Sequence, residues 1–81
     1  MKIEVTQEDI DRGIPEDPTS CPVARAVRRA FPDAKQIGVD YGEVVVDDNE
    51  WIVNAGTAIF IEDFDRGDKV EPFVFELDDP E

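Results

Sequence analysis

The sequence predicts an α+β domain in which a mostly antiparallel sheet of four to five strands packs in two layers against one main helix at residues 21–31 and one or two short helices. One segment has helical apolar spacing over its whole length, most other apolar segments alternate with polar residues, and short turn sequences separate them. A chain of 81 residues has room for one core. We therefore expect one compact domain over residues 1–81, with an acidic tail at 78–81.

The first 19 residues predict a strand, a short helix and a loop. Residues 2–5 alternate apolar and polar side chains, as a half-buried strand does. Thr6 then opens a capping-box-like sequence that has Asp9 where Glu is usual, and Gly13 stops the helix. Residues 14–19 contain two prolines and predict a loop.

Residues 20–31 carry the main helical signal. Ser20 is the expected N-cap, Pro22 suits the first turn, and Pro32 disfavours helix at the residue before it. The apolar stripe that should face the core consists of Val23, Ala26, Val27, Ala30 and Phe31. Arg25, Arg28 and Arg29 fall largely on the other side, which predicts a basic patch on the outer surface of this helix.

The middle of the chain predicts a three-stranded meander with strands at residues 36–41, 43–47 and 51–54. The segment 47–50, Asp-Asp-Asn-Glu, is the expected turn between the second and third strands.

Residues 57–66 are ambiguous. Thr57 as a cap, apolar residues at helical offsets and Gly67 as a terminator favour a helix, whereas the run at 58–61 favours a strand. We expect the helix. Residues 73–77 alternate strictly and predict a final strand that forms a sheet edge.

The net charge of the chain indicates which kinds of molecule it would bind. With 21 acidic and 8 basic residues the chain has a formal net charge of -13 and a pI near 4.1. Such a surface repels nucleic acid and anionic membranes and attracts the basic grooves of proteins that bind nucleic acid. Solubility, or adaptation to a high-salt cytoplasm, explains the same composition. Repulsion between copies favours a monomer.

The residue inventory argues against an enzyme. The chain has no histidine, so Ser-His and Cys-His nucleophile systems are excluded. The single Cys21 excludes an internal disulfide and two-cysteine metal motifs, and we interpret it as a buried apolar residue rather than a reactive thiol. No motif indicates a metal or cofactor. The sequence has no membrane-length apolar run and no basic, apolar leader, so we expect a cytoplasmic protein.

Acidic residues are unevenly distributed. Residues 1–20 contain six, 21–40 two, 41–60 four and 61–81 nine. Paired carboxylates, such as Glu8 with Asp9 or Asp78 with Asp79, could be spaced like phosphates along a nucleic-acid backbone. The residues expected to bind a partner flank turns and helix ends that can converge on one edge; they are Asp47, Asp48, Glu50, Glu62, Asp63, Asp65 and Asp68.

Four stretches carry a family resemblance: residues 5–13 (VTQEDIDRG), 21–30 (CPVARAVRRA), 64–67 (FDRG) and 70–77 (VEPFVFEL). Together they resemble a group of small, acidic, functionally unassigned proteins of bacteriophages and prophages. The matching residues are structural, so the resemblance implies a phage or mobile-element origin and transfers no catalytic position. Small acidic phage proteins are often similar to inhibitors of host defence, including anti-CRISPR proteins that mimic DNA.

These observations lead to one functional hypothesis and two alternatives. The hypothesis is a non-enzymatic inhibitor in the host bacterial cytoplasm that places an acidic face in the nucleic-acid channel of a basic host complex, such as a CRISPR surveillance complex. One alternative is an accessory or structural phage protein. The other is a sponge for a signalling nucleotide, bound through Arg25, Arg28 and Arg29.

Overall fold

A computed structural model of the chain describes residues 1–78. The predicted acidic tail at 78–81 therefore lies, apart from Asp78, outside the described residues. The described part contains five strands and three helices in the order β1 (Lys2–Val5), α1 (Gln7–Arg12), α2 (Pro22–Ala30), β2 (Ile37–Val39), β3 (Glu43–Val46), β4 (Asn49–Ile52), α3 (Ala55–Asp65) and β5 (Phe73–Glu76). Within these residues, no helix is long and apolar enough to cross a membrane.

The strands form two antiparallel sheets. The first and last strands pair in the order β1-β5, with Ile3 opposite Phe75, and the meander forms a sheet in the order β2-β3-β4. The α+β class and the antiparallel pairing are confirmed, but the prediction of one sheet of four to five strands is wrong. The outer edge of β2 is covered by a loop, since the Val39 N–H donates to the Pro18 carbonyl at 2.9 Å. The loop at Pro18 therefore lies beside β2 in the position that a further strand would occupy in a continuous sheet.

Helix α2 packs as its apolar stripe predicts. Val23 and Val27 are fully buried, and the helix ends at Ala30 before Pro32. The expected cap is wrong by one residue, because Cys21 is the N-cap and its Sγ accepts a hydrogen bond from the Ala24 N–H at 3.4 Å. Burial raises the pKa of the Cys21 thiol, despite backbone N–H groups that act in the opposite direction.

Helix α3 confirms the helical interpretation of the ambiguous segment. It begins three residues earlier than a cap at Thr57 predicts, because Asn54 is the cap: its Oδ1 accepts from the Thr57 N–H at 2.8 Å and from the Thr57 hydroxyl at 3.0 Å. Thr57 is buried at the third helical position. The ring of Phe60 lies 4.5 Å from that of Phe73 and joins α3 to β5.

The meander has a tighter second turn than predicted. Val46 pairs with Asn49, so only Asp47 and Asp48 form the turn, and the third strand is Asn49–Ile52 rather than 51–54. Asp47 adopts φ 51°, a left-handed conformation that short polar residues tolerate better than most. Its side chain helps to hold it there, as described below.

Candidate functional site

Four of the predicted carboxylates lie at the C-terminal end of α3, and we call Glu62, Asp63, Asp65 and Asp68 the α3 acidic group. Arg66 brings three of them together. Its guanidinium lies 2.7 Å from Asp63 Oδ1, 3.2 Å from Asp68 Oδ2 and 3.4 Å from Glu62 Oε1. Their charges, that of Asp68 first, raise the pKa of Arg66. One cation serves three carboxylates, so the cluster keeps a net negative charge.

The α3 acidic group is accessible. Side-chain exposure is 61% for Glu62, 57% for Asp68 and 34% for Asp63. A partner could therefore reach carboxylate oxygens here without unfolding any element.

Asp65 has a different role from its neighbours. Its Oδ1 accepts from the Glu16 N–H at 2.8 Å and its Oδ2 accepts from the Tyr41 hydroxyl at 2.9 Å. The hydrogen bond to the carboxylate favours the neutral phenol and raises the pKa of Tyr41. Asp65 thus ties the end of α3 to the loop before α2 and to the β2–β3 turn.

The position of these carboxylates works against the stability of α3. Glu62, Asp63 and Asp65 occupy its last turn, where the helix dipole is negative, and that turn contains no basic residue. Each such placement typically costs about 0.3–1 kcal/mol at a surface. Departures from local stability rules often mark functional positions.

The remaining predicted residues form a second set on the β3–β4 hairpin, the hairpin acidic group of Asp47, Asp48 and Glu50. The carboxylate of Asp47 serves the fold, because its Oδ1 accepts from the Lys35 and Gln36 N–H groups at 2.9 Å each. Asp48 and Glu50 are exposed.

The two groups lie at opposite ends of the meander. Asp65 contacts Tyr41 in the turn that precedes β3, whereas Asp47 follows β3. The four residues of β3 span roughly 13 Å. Among residues 1–78, no hydrogen bond or ion pair joins the hairpin group to the α3 group. The predicted residues therefore form two separate acidic sets.

Two of the three arginines that were predicted to form a basic patch on α2 pair with Asp9. Arg29 Nη1 and Nη2 donate to the two carboxylate oxygens of Asp9 at 3.0 and 2.8 Å. Arg25 Nε lies 3.5 Å from the same carboxylate, and Arg28 Nη2 donates to the Thr19 carbonyl at 2.9 Å. Asp9 thus engages two of these guanidinium groups, whereas Arg28 has one backbone contact and stays exposed.

Asp9 was expected to share a surface pair with Glu8, but it is fully buried. It completes the predicted capping box with Thr6: its Oδ2 accepts from the Thr6 N–H at 3.0 Å, and its N–H donates to the Thr6 hydroxyl at 3.2 Å. Burial raises its pKa, but hydrogen bonds from Arg29 and Thr6 outweigh burial, and the net pKa is lower than its ordinary value.

Sequence reasoning missed Arg66, Tyr41 and the burial of Asp9. The contacts of Arg66 join residues two to four positions apart, a spacing that the sequence displays. The Tyr41–Asp65 and Arg29–Asp9 contacts join residues 24 and 20 positions apart, and no local pattern signals them.

The described residues give no sign of a metal centre, since residues 1–78 hold no group of three or more His, Cys, Asp or Glu side chains arranged to bind an ion. Comparison of the chain with protein-family models, with curated proteins and with solved structures found no match.

Proposed function

We propose that this chain is a non-enzymatic, acidic binding protein that occupies the nucleic-acid-binding surface of a basic host protein or complex in the bacterial cytoplasm, as a mimic of DNA. The phage or mobile-element origin comes from the sequence resemblance alone. A CRISPR surveillance complex is the host assembly on which we would test it first.

The α3 acidic group is the observation that supports this function most strongly. Three of its carboxylates, those of Glu62, Asp63 and Asp68, are accessible and share a single guanidinium. Glu62 and Asp63 also sit where the helix dipole disfavours them. Fold stability therefore does not account for their placement, whereas binding to a cationic surface does.

The acidic excess of the chain is concentrated in its second half. Residues 1–39 hold seven acidic and six basic residues, and residues 40–81 hold fourteen acidic and two basic residues. A basic channel would attract the second region and be nearly indifferent to the first. Asp48 and Glu50 provide a second exposed acidic set on the β3–β4 hairpin.

The test is competition with DNA. A labelled target duplex is bound to a purified CRISPR surveillance complex, and its displacement by the protein is followed by fluorescence anisotropy at several salt concentrations. We expect the displacement of DNA to weaken as salt rises. The reason is that the protein and the DNA are both attracted to the complex by electrostatic forces that salt screens.

Two triple variants separate site from net charge. E62Q/D63N/D68N neutralises the three carboxylates around Arg66, and E4Q/E8Q/D11N neutralises three exposed carboxylates of the first region with the same change in net charge. We expect the first to weaken displacement at least tenfold and the second less than threefold. Equal effects would show that only net charge matters, and displacement by neither wild type nor variant would refute the mimic.

A further inference from the structure

The outer edge of β5 has unpaired backbone groups. The Leu77 N–H donates to the Met1 carbonyl at 2.8 Å, which fixes the phase of the β1–β5 ladder. In an antiparallel pair the residues between hydrogen-bonded positions point their N–H and C=O groups outward. These residues are Val74 and Glu76, and nothing else in residues 1–78 hydrogen-bonds to their backbone groups.

Two of the other strand edges each have an outward backbone group that is hydrogen-bonded within the chain. On β1, Arg29 Nη2 donates to the outward Glu4 carbonyl at 2.7 Å. On β2, the Pro18 carbonyl accepts from the outward Val39 N–H. The β4 edge resembles that of β5, because Val53 donates to the Gly42 carbonyl and leaves Glu50 and Ile52 pointing outward.

The β5 edge adjoins a groove lined by a helix. A cavity of about 440 Å³ lies between α3 and β5, with Ile59, Phe60, Phe73 and Val74 among its apolar walls. Ile59 is 58% exposed and Val74 48% exposed. An apolar side chain entering this groove would bury both.

The charge around the groove selects the occupant. Asp63, which pairs with Arg66, and Glu71 lie on its walls with one cation, Lys69. In sequence, residues 40–81 contain fourteen acidic residues and two basic ones. A second copy of this chain would bring the same net charge of -13 against it. A basic partner has the complementary charge.

We propose that the β5 edge binds an extended, basic segment of a partner protein by strand addition. The backbone of the segment pairs with Val74 and Glu76, one apolar side chain enters the α3–β5 groove, and flanking Lys or Arg side chains face Asp63 and Glu71. That the partner is positively charged rests on the proposed function.

The probe is an end-blocked seven-residue peptide of alternating lysine and valine, labelled with fluorescein and titrated with the wild-type protein at about 150 mM salt. Two further peptides carry N-methyl groups on alternate residues, one on the odd and one on the even positions. An added strand presents only one of these sets of N–H groups to β5. We expect one methylated peptide to bind at least tenfold more weakly than the other.

The protein side of the test uses V74P and the matched control I52P. Each removes an outward N–H from an edge strand, a position at which proline is tolerated. Circular dichroism checks that both fold. We expect V74P to weaken binding of the unmodified peptide at least tenfold and I52P less than twofold. In the wild type, the amides of Val74 and Glu76 should gain protection from hydrogen exchange on binding.

The outcomes separate the two proposals. Equal binding of the two methylated peptides, or equal effects of V74P and I52P, would overturn strand addition while the DNA competition could still succeed. A concentration-dependent dimer that V74P abolishes would assign the edge to a second copy and overturn the basic partner. Peptide binding with the expected phase, combined with failure of the DNA competition, would retain the surface and refute the DNA mimic.

Discussion

The first 39 residues and the remainder of the chain use their charged side chains in opposite ways. In the first region acids and bases are nearly balanced, and a carboxylate with no exposed surface, Asp9, is held by Arg29 and Arg25. In the second region acids outnumber bases seven to one, and the α3 acidic group faces solvent around one arginine. The comparison teaches that a buried charge is neutralised within the fold in one region, whereas several charges of the other region, those of Glu62 and Asp68 among them, remain exposed to solvent.

The largest expected effect comes from breaking the buried cluster. Asp9→Asn should lower the free energy of unfolding by about 3 kcal/mol, because Arg29 and Arg25 lose the buried carboxylate that neutralises them. Urea unfolding measures the change. Asp11→Asn, on the exposed side of the same helix, is the control and should cost less than about 0.5 kcal/mol. Similar losses in the two variants would contradict the structural role of Asp9.

The same carboxylate predicts how stability depends on acid. The folded-state pKa of Asp9 lies below its ordinary value of 3.8, so its contribution is complete above about pH 3.8 and is lost as the pH falls from there through the lower folded-state value. We expect the free energy of unfolding that is lost when Asp9 is protonated to be no larger than the loss caused by Asp9→Asn. Unfolding curves measured from pH 6 to pH 2 should therefore fall more steeply at the acid end for the wild type than for Asp9→Asn; parallel curves would argue against the pKa shift.

The dependence of stability on salt concentration tests the acidic second region, residues 40–81. Raising sodium chloride from about 0.05 to 0.5 M should increase the free energy of unfolding by roughly 1 kcal/mol, because screening weakens the mutual repulsion of exposed carboxylates more than it weakens the buried ion pair. E62Q/D63N/D68N should show a smaller gain than E4Q/E8Q/D11N. A stability that falls with salt would mean that the paired charges of the first region dominate the electrostatics of the whole molecule.

The smallest expected effect on stability comes from Arg66→Gln. Its contacts are exposed, so we expect the Tm to fall by only about 2 °C. Lys69→Gln is the matched control, since Lys69 makes no ion pair among the described residues, and it should leave the Tm unchanged. If the α3 acidic group binds a basic partner, Arg66→Gln should also strengthen the displacement of DNA; weaker displacement would assign Arg66 to the contact itself.

Much of the fold followed from local pattern. The apolar stripe of α2, the capping box of Thr6 with Asp9, the helical character of α3 and the alternation in β5 all depend on residues within one or two turns of each other. The errors at Ser20 and Thr57 concern caps, where Cys21 and Asn54 accept from the first-turn N–H groups instead. The division into two sheets depends on pairing β1 with β5, more than 65 positions apart, and no local signal encodes it.

The sequence predicted which carboxylates belong to the candidate site, but not which of them lie close together. The sequence shows Glu62, Asp63 and Asp68 close to Arg66, and the structure brings these side chains together. It separates them from Asp47, whose carboxylate is occupied by the backbone of Lys35 and Gln36. The role of a carboxylate depends on donors that reach it from elsewhere in the chain.

The sequence by itself determined the net charge, the excess of acid after residue 39, the faces of the helices and the alternation of the strands, because composition and short periodicities depend only on near neighbours. The tertiary structure decided which charges are neutralised and which backbone edges are covered. Burial of Asp9 required Arg25 and Arg29 from another helix, and the same Arg29 reaches the Glu4 carbonyl on the β1 edge. The outward backbone groups of Val74 and Glu76 on β5 received no such partner within the described residues. Coulomb pairing and hydrogen bonding act over a few ångströms, so packing rather than sequence order determines which groups meet.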